Sequence, residues 1–294
     1  NLVFKIIFAA AVFVLVFAVT SITNVFIKRN ALNFCRERVL PQKKLPNFLI
    51  SIPLAFLAAV FTTNVFYDKA LSFFNAEKFG TYDPLFGVDI GYYVFQRPFL
   101  MSVYDFVSAF WVFIILYTAA YYFFVISSSL TSVSFNDLKD KKILRHNLAN
   151  IAIFFVIKAF SYKFLKEGVL YSSVVNSRGA GNIDVNLWIK YYTVAPYLLI
   201  AIVAVALVFI LKGRLKLSAI VIAIFPAVWI LVSIAAQLVH YFVIVPNEYN
   251  MEKQYLEYHI EKTREAYNFG KIIEYDFDDM ESLTPEIINR NLVT

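Results

Sequence analysis

One cysteine and three histidines in 294 residues leave little for redox or metal chemistry. Cys35 has no partner for an internal disulfide, and His146, His240 and His259 lie too far apart for a spaced metal motif. Charge is scarce too, at 16% against about 25% in ordinary soluble chains. With 8 glycines and 9 prolines the chain is neither collagenous nor of low complexity. No nucleophile–base spacing and no cofactor-binding pattern stands out, so the expectation is a chain without cofactor or metal, and an enzyme is the weaker class.

What the sequence has in abundance is apolar surface. Hydrophobic residues make up 60% and aromatics 18%, and the mean hydropathy is +0.65. A net charge of +6 would suit nucleic acid only if the basic residues gathered on one soluble face. They fall instead in the segments between apolar runs, which makes the lipid bilayer the expected partner and argues against nucleic acid.

A hydrocarbon core of about 30 Å takes roughly 20 residues of helix. Six segments meet or approach that length, near 2–27, 48–67, 103–126, 148–165, 192–211 and 217–245. They predict an all-α, polytopic transmembrane bundle over 1–245, followed by the start of an extracytoplasmic domain over 246–294. Pro53, Pro196 and Pro226 fall in or near the ends of these helices and favour kinks.

Lysine and arginine set the expected orientation. The segments 28–47, 128–147 and 212–216 hold 13 of them, whereas 68–102 and 163–190 hold seven. The richer side is expected to be cytoplasmic, in a bacterial plasma membrane. Six spans then put both ends of the chain outside. The tail from 246 onward has 11 acidic and five basic residues, as an extracytoplasmic segment would. The first residue is not methionine and runs straight into a span, and the polar tail is too short to bury a core of its own; both features point to a piece of a longer protein.

The segment Tyr82-Asp83-Pro84-Leu85-Phe86-Gly87-Val88-Asp89-Ile90-Gly91-Tyr92-Tyr93-Val94-Phe95-Gln96-Arg97-Pro98-Phe99 starts with an Asp-Pro turn signal, continues through a β-like aromatic alternation and ends at a proline before the third span. It resembles a motif of the large bacterial membrane proteins grouped as Uncharacterised Protein Family 0182. Leu170-Tyr171-Ser172-Ser173 with Gly179-Ala180-Gly181-Asn182-Ile183-Asp184-Val185 is similar to a second stretch of that family. The run from Gln237 through Pro246-Asn247-Glu248 to Tyr255, Ile260, Thr263-Arg264 and Ala266-Tyr267 is similar to a third. Gly91-Tyr92-Tyr93 departs slightly, since the family more often has a small residue followed by Phe-Tyr. The resemblance implies an additional N-terminal span and a large extracytoplasmic C-terminal region, and no settled activity.

Six residues are candidates for function. Asp83 and Asp89 read either as an acid–base or cation-holding pair, or as a turn cap beside a carboxylate that is solvated or paired with Arg97. Lys158 is the one charge well inside an apolar run, poised between a functional role and snorkelling to the interface. Gln237 and His240, three apart on one helix face, fit a polar pathway or interhelical hydrogen bonds. His146 is expected to face solvent, and Cys35 could accept an acyl chain. Residues 247–267 predict an amphipathic helix with Tyr249, Tyr255, Ile260 and Tyr267 in contact and Glu252, Glu257, Glu261, Lys262 and Glu265 in water. Asp276, Asp278, Asp279 and Glu281 lack the glycine and ligand order of a calcium loop.

These features point to a multispan protein that anchors or couples to an extracytoplasmic domain in the cell envelope, with envelope proteins or polymers as partners of that domain. The alternative is a transporter or channel with a pathway near Lys158, Gln237 and His240. An enzyme acting on lipid-linked substrates is a third reading, resting on Asp83, Asp89 and Arg97.

Overall fold

The computed structural model describes residues 2–38, 48–129, 140–174 and 177–269, together with Ile272 and Pro285. The acidic residues Asp276, Asp278, Asp279 and Glu281, and the loop lysines Lys43, Lys44 and Lys139, lie outside the described residues.

Six helices are long and apolar enough to cross a membrane. They are built on α1 (Leu2–Glu37), α2 (Phe48–Phe74), α3 (Arg97–Ser129), α4 (Lys141–Gly168), α5 (Ile189–Leu211) and α6 (Leu215–Val239), and a polar α7 (Glu248–Ala266) follows. Each expected span is present, but most run further than their apolar cores. α1 carries Lys28, Arg29 and Arg36 on its last turns and reaches 36 residues, or about 54 Å at the rise of an α-helix. Hydropathy marks where the hydrocarbon is, whereas backbone hydrogen bonding continues through charged helix formers beyond it.

Three spans carry a π-helical turn at one end: Tyr92–Gln96 leads into α3, Asp184–Trp188 leads into α5, and His240–Ile244 follows α6. The first of these replaces the expected β alternation. Only an isolated bridge between Tyr82 and Asp89 and a two-residue hairpin, β1 (Ser173–Val174) with β2 (Ser177–Arg178), are extended among the described residues. Tyr92 and Tyr93 pack edge to face inside a helical turn, because each has a carboxylate to bond on a different neighbouring element.

Successive helices run antiparallel. The Lys5 ammonium lies 4.2 Å over the Tyr67 ring, which sets the start of α1 beside the end of α2. Arg97 at the start of α3 meets Glu167 at the end of α4. At the opposite end Lys142 of α4 bonds Glu37 of α1 at 2.9 Å. One end of the bundle therefore carries 75–96, 169–174, 177–188 and 240–266 and is called the loop end. The other carries Arg36 and Arg38 at the end of α1, Lys141, Lys142 and Arg145 at the start of α4, and Lys212 and Arg214 between α5 and α6, and is called the basic end.

Packing follows a seven-residue rhythm in which most of the buried side chains of α2 and half of those of α5 are small. On α2 the buried face is Ser51, Ala55, Ala59, Thr62, Phe66 and Ala70; on α5 it is Ala195, Leu199, Ile202 and Ala206. Small residues at that spacing let helix backbones approach closely, which drives association where lipid is as apolar as leucine. Phe8, Phe66, Phe106 and Phe110 pack together between α1, α2 and α3, with ring centroids 6.0 to 6.4 Å apart. Large apolar side chains such as Phe56, Leu57, Leu116 and Phe242 point outward, a surface suited to hydrocarbon rather than water. α5 and α6 are joined by a Schellman turn, with Arg214 N–H donating to Phe209 O at 2.8 Å and Gly213 N–H to Ile210 O at 2.9 Å. Gly213 takes φ +74°, which a β-carbon would strain.

Cys35 is 3% exposed and packs with Ile27, Phe34, Tyr122, Ile126 and Ile143. The expectation of an acylated surface thiol is thereby overturned. His146 also departs from expectation: it is half-buried, with its Nδ1 2.8 Å from Tyr122 Oη, because α3 supplies a hydroxyl at that depth. Asn30 donates to the same Tyr122 oxygen at 2.9 Å, and Tyr117 Oη donates to Asn24 at 2.6 Å.

Candidate functional site

At the loop end the three stretches that carried the family resemblance converge. The first is a capped turn. Asp83 is 7% exposed, and its carboxylate accepts from Leu85 N–H at 2.8 Å, Phe86 N–H at 3.0 Å and Tyr93 Oη at 3.1 Å. Pro84 presets the turn, and Gly87 closes it at φ +63°.

Asp89 accepts from Phe79 N–H, Gly80 N–H and Gly91 N–H at 3.1, 2.9 and 2.7 Å. Burial opposes its charge, but these three donors and the nearby Lys78 ammonium hold its carboxyl below the usual range. Both aspartates are thus committed to shaping one loop, and they do not form the acid–base pair the sequence allowed.

Arg97 does not pair with Asp89. Its Nε donates to Glu167 Oε2 at 3.1 Å and its Nη2 to Phe164 O at 3.1 Å, while its guanidinium lies 5.3 Å over the Tyr171 ring. Tyr92 Oη donates to Glu167 Oε1 at 3.0 Å. The carboxylate that Arg97 needs arrives from α4, 70 residues on, because Asp89 is already saturated by backbone donors.

The second stretch folds over this cluster. Asp184 accepts from Ser172 Oγ at 2.6 Å and Gly181 N–H at 3.2 Å, closing the loop between α4 and α5. The third stretch, α7, docks on that loop. Glu252 is 5% exposed and both its oxygens accept from Asn182 N–H, at 3.2 and 3.0 Å. Asn182 Nδ2 donates to Met251 O at 3.2 Å, and Asn186 Nδ2 donates to Tyr255 Oη at 3.3 Å. His259 lies against Gly179, where a β-carbon would overlap the imidazole.

The predicted amphipathic helix therefore exists with a different buried face. Glu252 is inside, whereas Tyr249, Ile260 and Tyr267 are exposed. Sequence reasoning placed Glu252 in water because its partner is a backbone N–H 70 residues away, which no local pattern reports. Burial raises the Glu252 pKa, as do the nearby Asp184 and Glu248, against the lowering effect of the Asn182 donor and His240. Burial lowers that of His259.

Gln237 and His240 line a cleft of about 710 Å³ together with Asp184, Trp188, Trp229 and Glu252. The structure thus brings two of the predicted residues to one place, beside two carboxylates that were not predicted to join them. Lys158 lies apart: it is exposed on α4 and has no ion pair among the described residues. Among the described residues no group of three or more His, Cys, Asp or Glu side chains is placed to hold a metal ion. The two tryptophans and two carboxylates could take a polar solute by stacking and hydrogen bonding.

The model of the Uncharacterised protein family (UPF0182) matches residues 1–294. A UPF0182 protein of Caldicellulosiruptor saccharolyticus is 33% identical over 286 residues, which cover 96% of this chain and 32% of that protein. A relative in Clostridium acetobutylicum is 26% identical over 291 residues, 92% of this chain and 31% of its own length. One in Clostridium tetani is 28% identical over 247 residues. The chain spans about a third of the length of these curated relatives. No solved structure matches.

Proposed function

The chain belongs to the Uncharacterised protein family (UPF0182), and from that membership and the geometry of the loop end we propose that it is the membrane-spanning part of a bacterial cytoplasmic-membrane protein that anchors, and is coupled to, a large extracytoplasmic domain. In this reading the basic end faces the cytoplasm, following the bias of lysine and arginine. The loop end and both chain ends face outward, and residues beyond 245 lead into the outer domain. Envelope proteins or polymers would act on that domain.

One observation carries the proposal. The polypeptide leaves α6 through the His240–Ile244 turn, and α7 is then held to the α4–α5 loop by Glu252 on Asn182 and by His259 on Gly179. A helix fastened at two points to the bundle transmits force and orientation, whereas a free linker would not. The aromatic filling of Phe66, Phe106 and Phe110 favours an anchor over a conduit.

Hydrogen exchange on the full-length protein in membranes tests this reading. The α7 amides should be protected, and Glu252→Ala should release them while α1 to α5 stay protected. Free exchange of α7 in the unaltered protein would overturn it. A second reading, passage of a polar solute, rests on the cleft shared by Gln237, His240, Asp184 and Glu252.

A further inference from the structure

A groove of about 570 Å³ opens sideways between α1, α3 and α4 near the basic end. Its mouth carries Lys142, Arg145 and His146, and its walls are Ile22, Phe26, Ala149 and Ile153. Trp111 forms part of its lining, its indole N–H donating to Asn150 O at 2.9 Å. Ile22, Phe26 and Ile153 are all exposed to the surroundings of the bundle. From Arg145 to Ile153 is eight residues, so the groove passes from cationic to apolar over about 12 Å. That gradient is the mirror image of an amphiphile lying with its head at the interface.

We propose that this groove binds one anionic phospholipid, its phosphate at Arg145 and Lys142 and an acyl chain along Ile22, Phe26 and Ile153. Charge argues for an anionic head. Glu37 takes one bond of Lys142, whereas Arg145 has no carboxylate partner among the described residues. Arg29 sits three residues beyond Phe26 and seven beyond Ile22, on the same face of α1. Asp140 is turned to the N-terminus of α4, where it accepts from Lys142 N–H and Ile143 N–H. Asn30 and His146 line the groove as well, both held on Tyr122 Oη.

Size argues against another helix as the occupant. A transmembrane helix about 10 Å across and 30 Å long fills roughly 2,400 Å³, several times this groove. The cavity lies instead in the range of small-ligand sites, about 300–1,000 Å³. Basic recesses between membrane helices at the cytoplasmic side suit anionic headgroups, each lysine or arginine near the surface contributing about fivefold in affinity.

Tryptophan quenching tests the proposal. The chain has three tryptophans, so Trp188→Phe with Trp229→Phe leaves Trp111 as the reporter. The full chain is placed in phosphatidylcholine vesicles that contain dibrominated phosphatidylglycerol or dibrominated phosphatidylcholine at equal mole fraction. Phosphatidylglycerol should quench Trp111 at several-fold lower mole fraction. Arg145→Ala should cut that preference about fivefold, and Arg145→Lys, which keeps the charge, should retain it. Ala149→Phe, one helical turn beyond Arg145, fills the groove while keeping the Arg145 charge and should abolish the preference. Equal quenching by the two lipids would overturn the proposal, as would a preference that survives both Arg145→Ala and Ala149→Phe. Loss of the preference on adding inorganic phosphate at constant ionic strength would overturn it as well, since a free anion would then be the ligand.

Discussion

Arg97 at the first turn of α3 and Glu167 at the last turn of α4 form a nearly buried ion pair at 3.1 Å, with side chains 13% and 12% exposed. Glu167 also accepts from Tyr92, so one carboxylate joins the π turn, α3 and α4. Glu167→Ala leaves the guanidinium without its charge partner and should destabilise the bundle by about 3–5 kcal/mol. Arg97→Met combined with Glu167→Met should lose much less. Unfolding of the double variant in mixed micelles, compared with Arg97→Met and Glu167→Met singly, measures the coupling.

Gly179 is the point where α7 meets the α4–α5 loop. It stands at φ +142°, and any β-carbon would run into the His259 ring. Gly179→Ala should therefore detach α7 while leaving the six spans helical. Proteolysis near residue 250 should accelerate, and far-ultraviolet circular dichroism should change little.

The same contact is expected to respond to acid. His259 has its pKa lowered by burial, so the detached helix binds protons more readily than the docked one. Docking is complete above the free imidazole value of about 6.5 and weakens as pH falls through it toward the lowered value. Glu252 acts in the opposite sense, since its raised pKa favours the docked helix as pH falls. Lys262 of α7 is the charged residue beside His259 among those lining that junction. Protection of the α7 amides, taken relative to their intrinsic exchange at each pH, should fall as pH drops below about 6.5, and His259→Gln should leave only the opposite trend due to Glu252.

Orientation can be read with two added thiols, because Cys35 is buried and contributes little background. Lys78 at the loop end and Lys212 at the basic end are both exposed. In intact cells a membrane-impermeant maleimide should label Lys78→Cys, and should label Lys212→Cys only after permeabilisation. The reverse pattern would invert the bundle.

Tyr117 Oη donates to Asn24 at 2.6 Å between α3 and α1. Tyr117→Phe removes that bond, and interhelical hydrogen bonds in membranes average about 0.6 kcal/mol with a maximum near 1.7. A loss in that range is expected from denaturation in lipid micelles.

The spans were legible because twenty apolar residues in a row have few other places to go. Their true ends were not, since Arg36 and Lys141 sit on helix beyond the apolar core. The Asp83 turn was readable from Asp-Pro and Gly87, both local signals. What escaped the sequence were long-range pairings: Arg97 with Glu167, Glu252 with Asn182, and Tyr122 with His146. Each joins groups on separate elements, and nothing within a turn of either partner records the other. Cys35 misled for the same reason, its burial being set by Tyr122 and Ile143 on other helices.

The π turns at Tyr92–Gln96, Asp184–Trp188 and His240–Ile244 all lie at the loop end. Each accommodates one residue more than regular α winding would. The surplus residue turns the side chains on one side of it by about 100° relative to those of an unbroken helix. Trp188 and His240 stand on two of these turns, and the altered winding aims both rings at the same cleft.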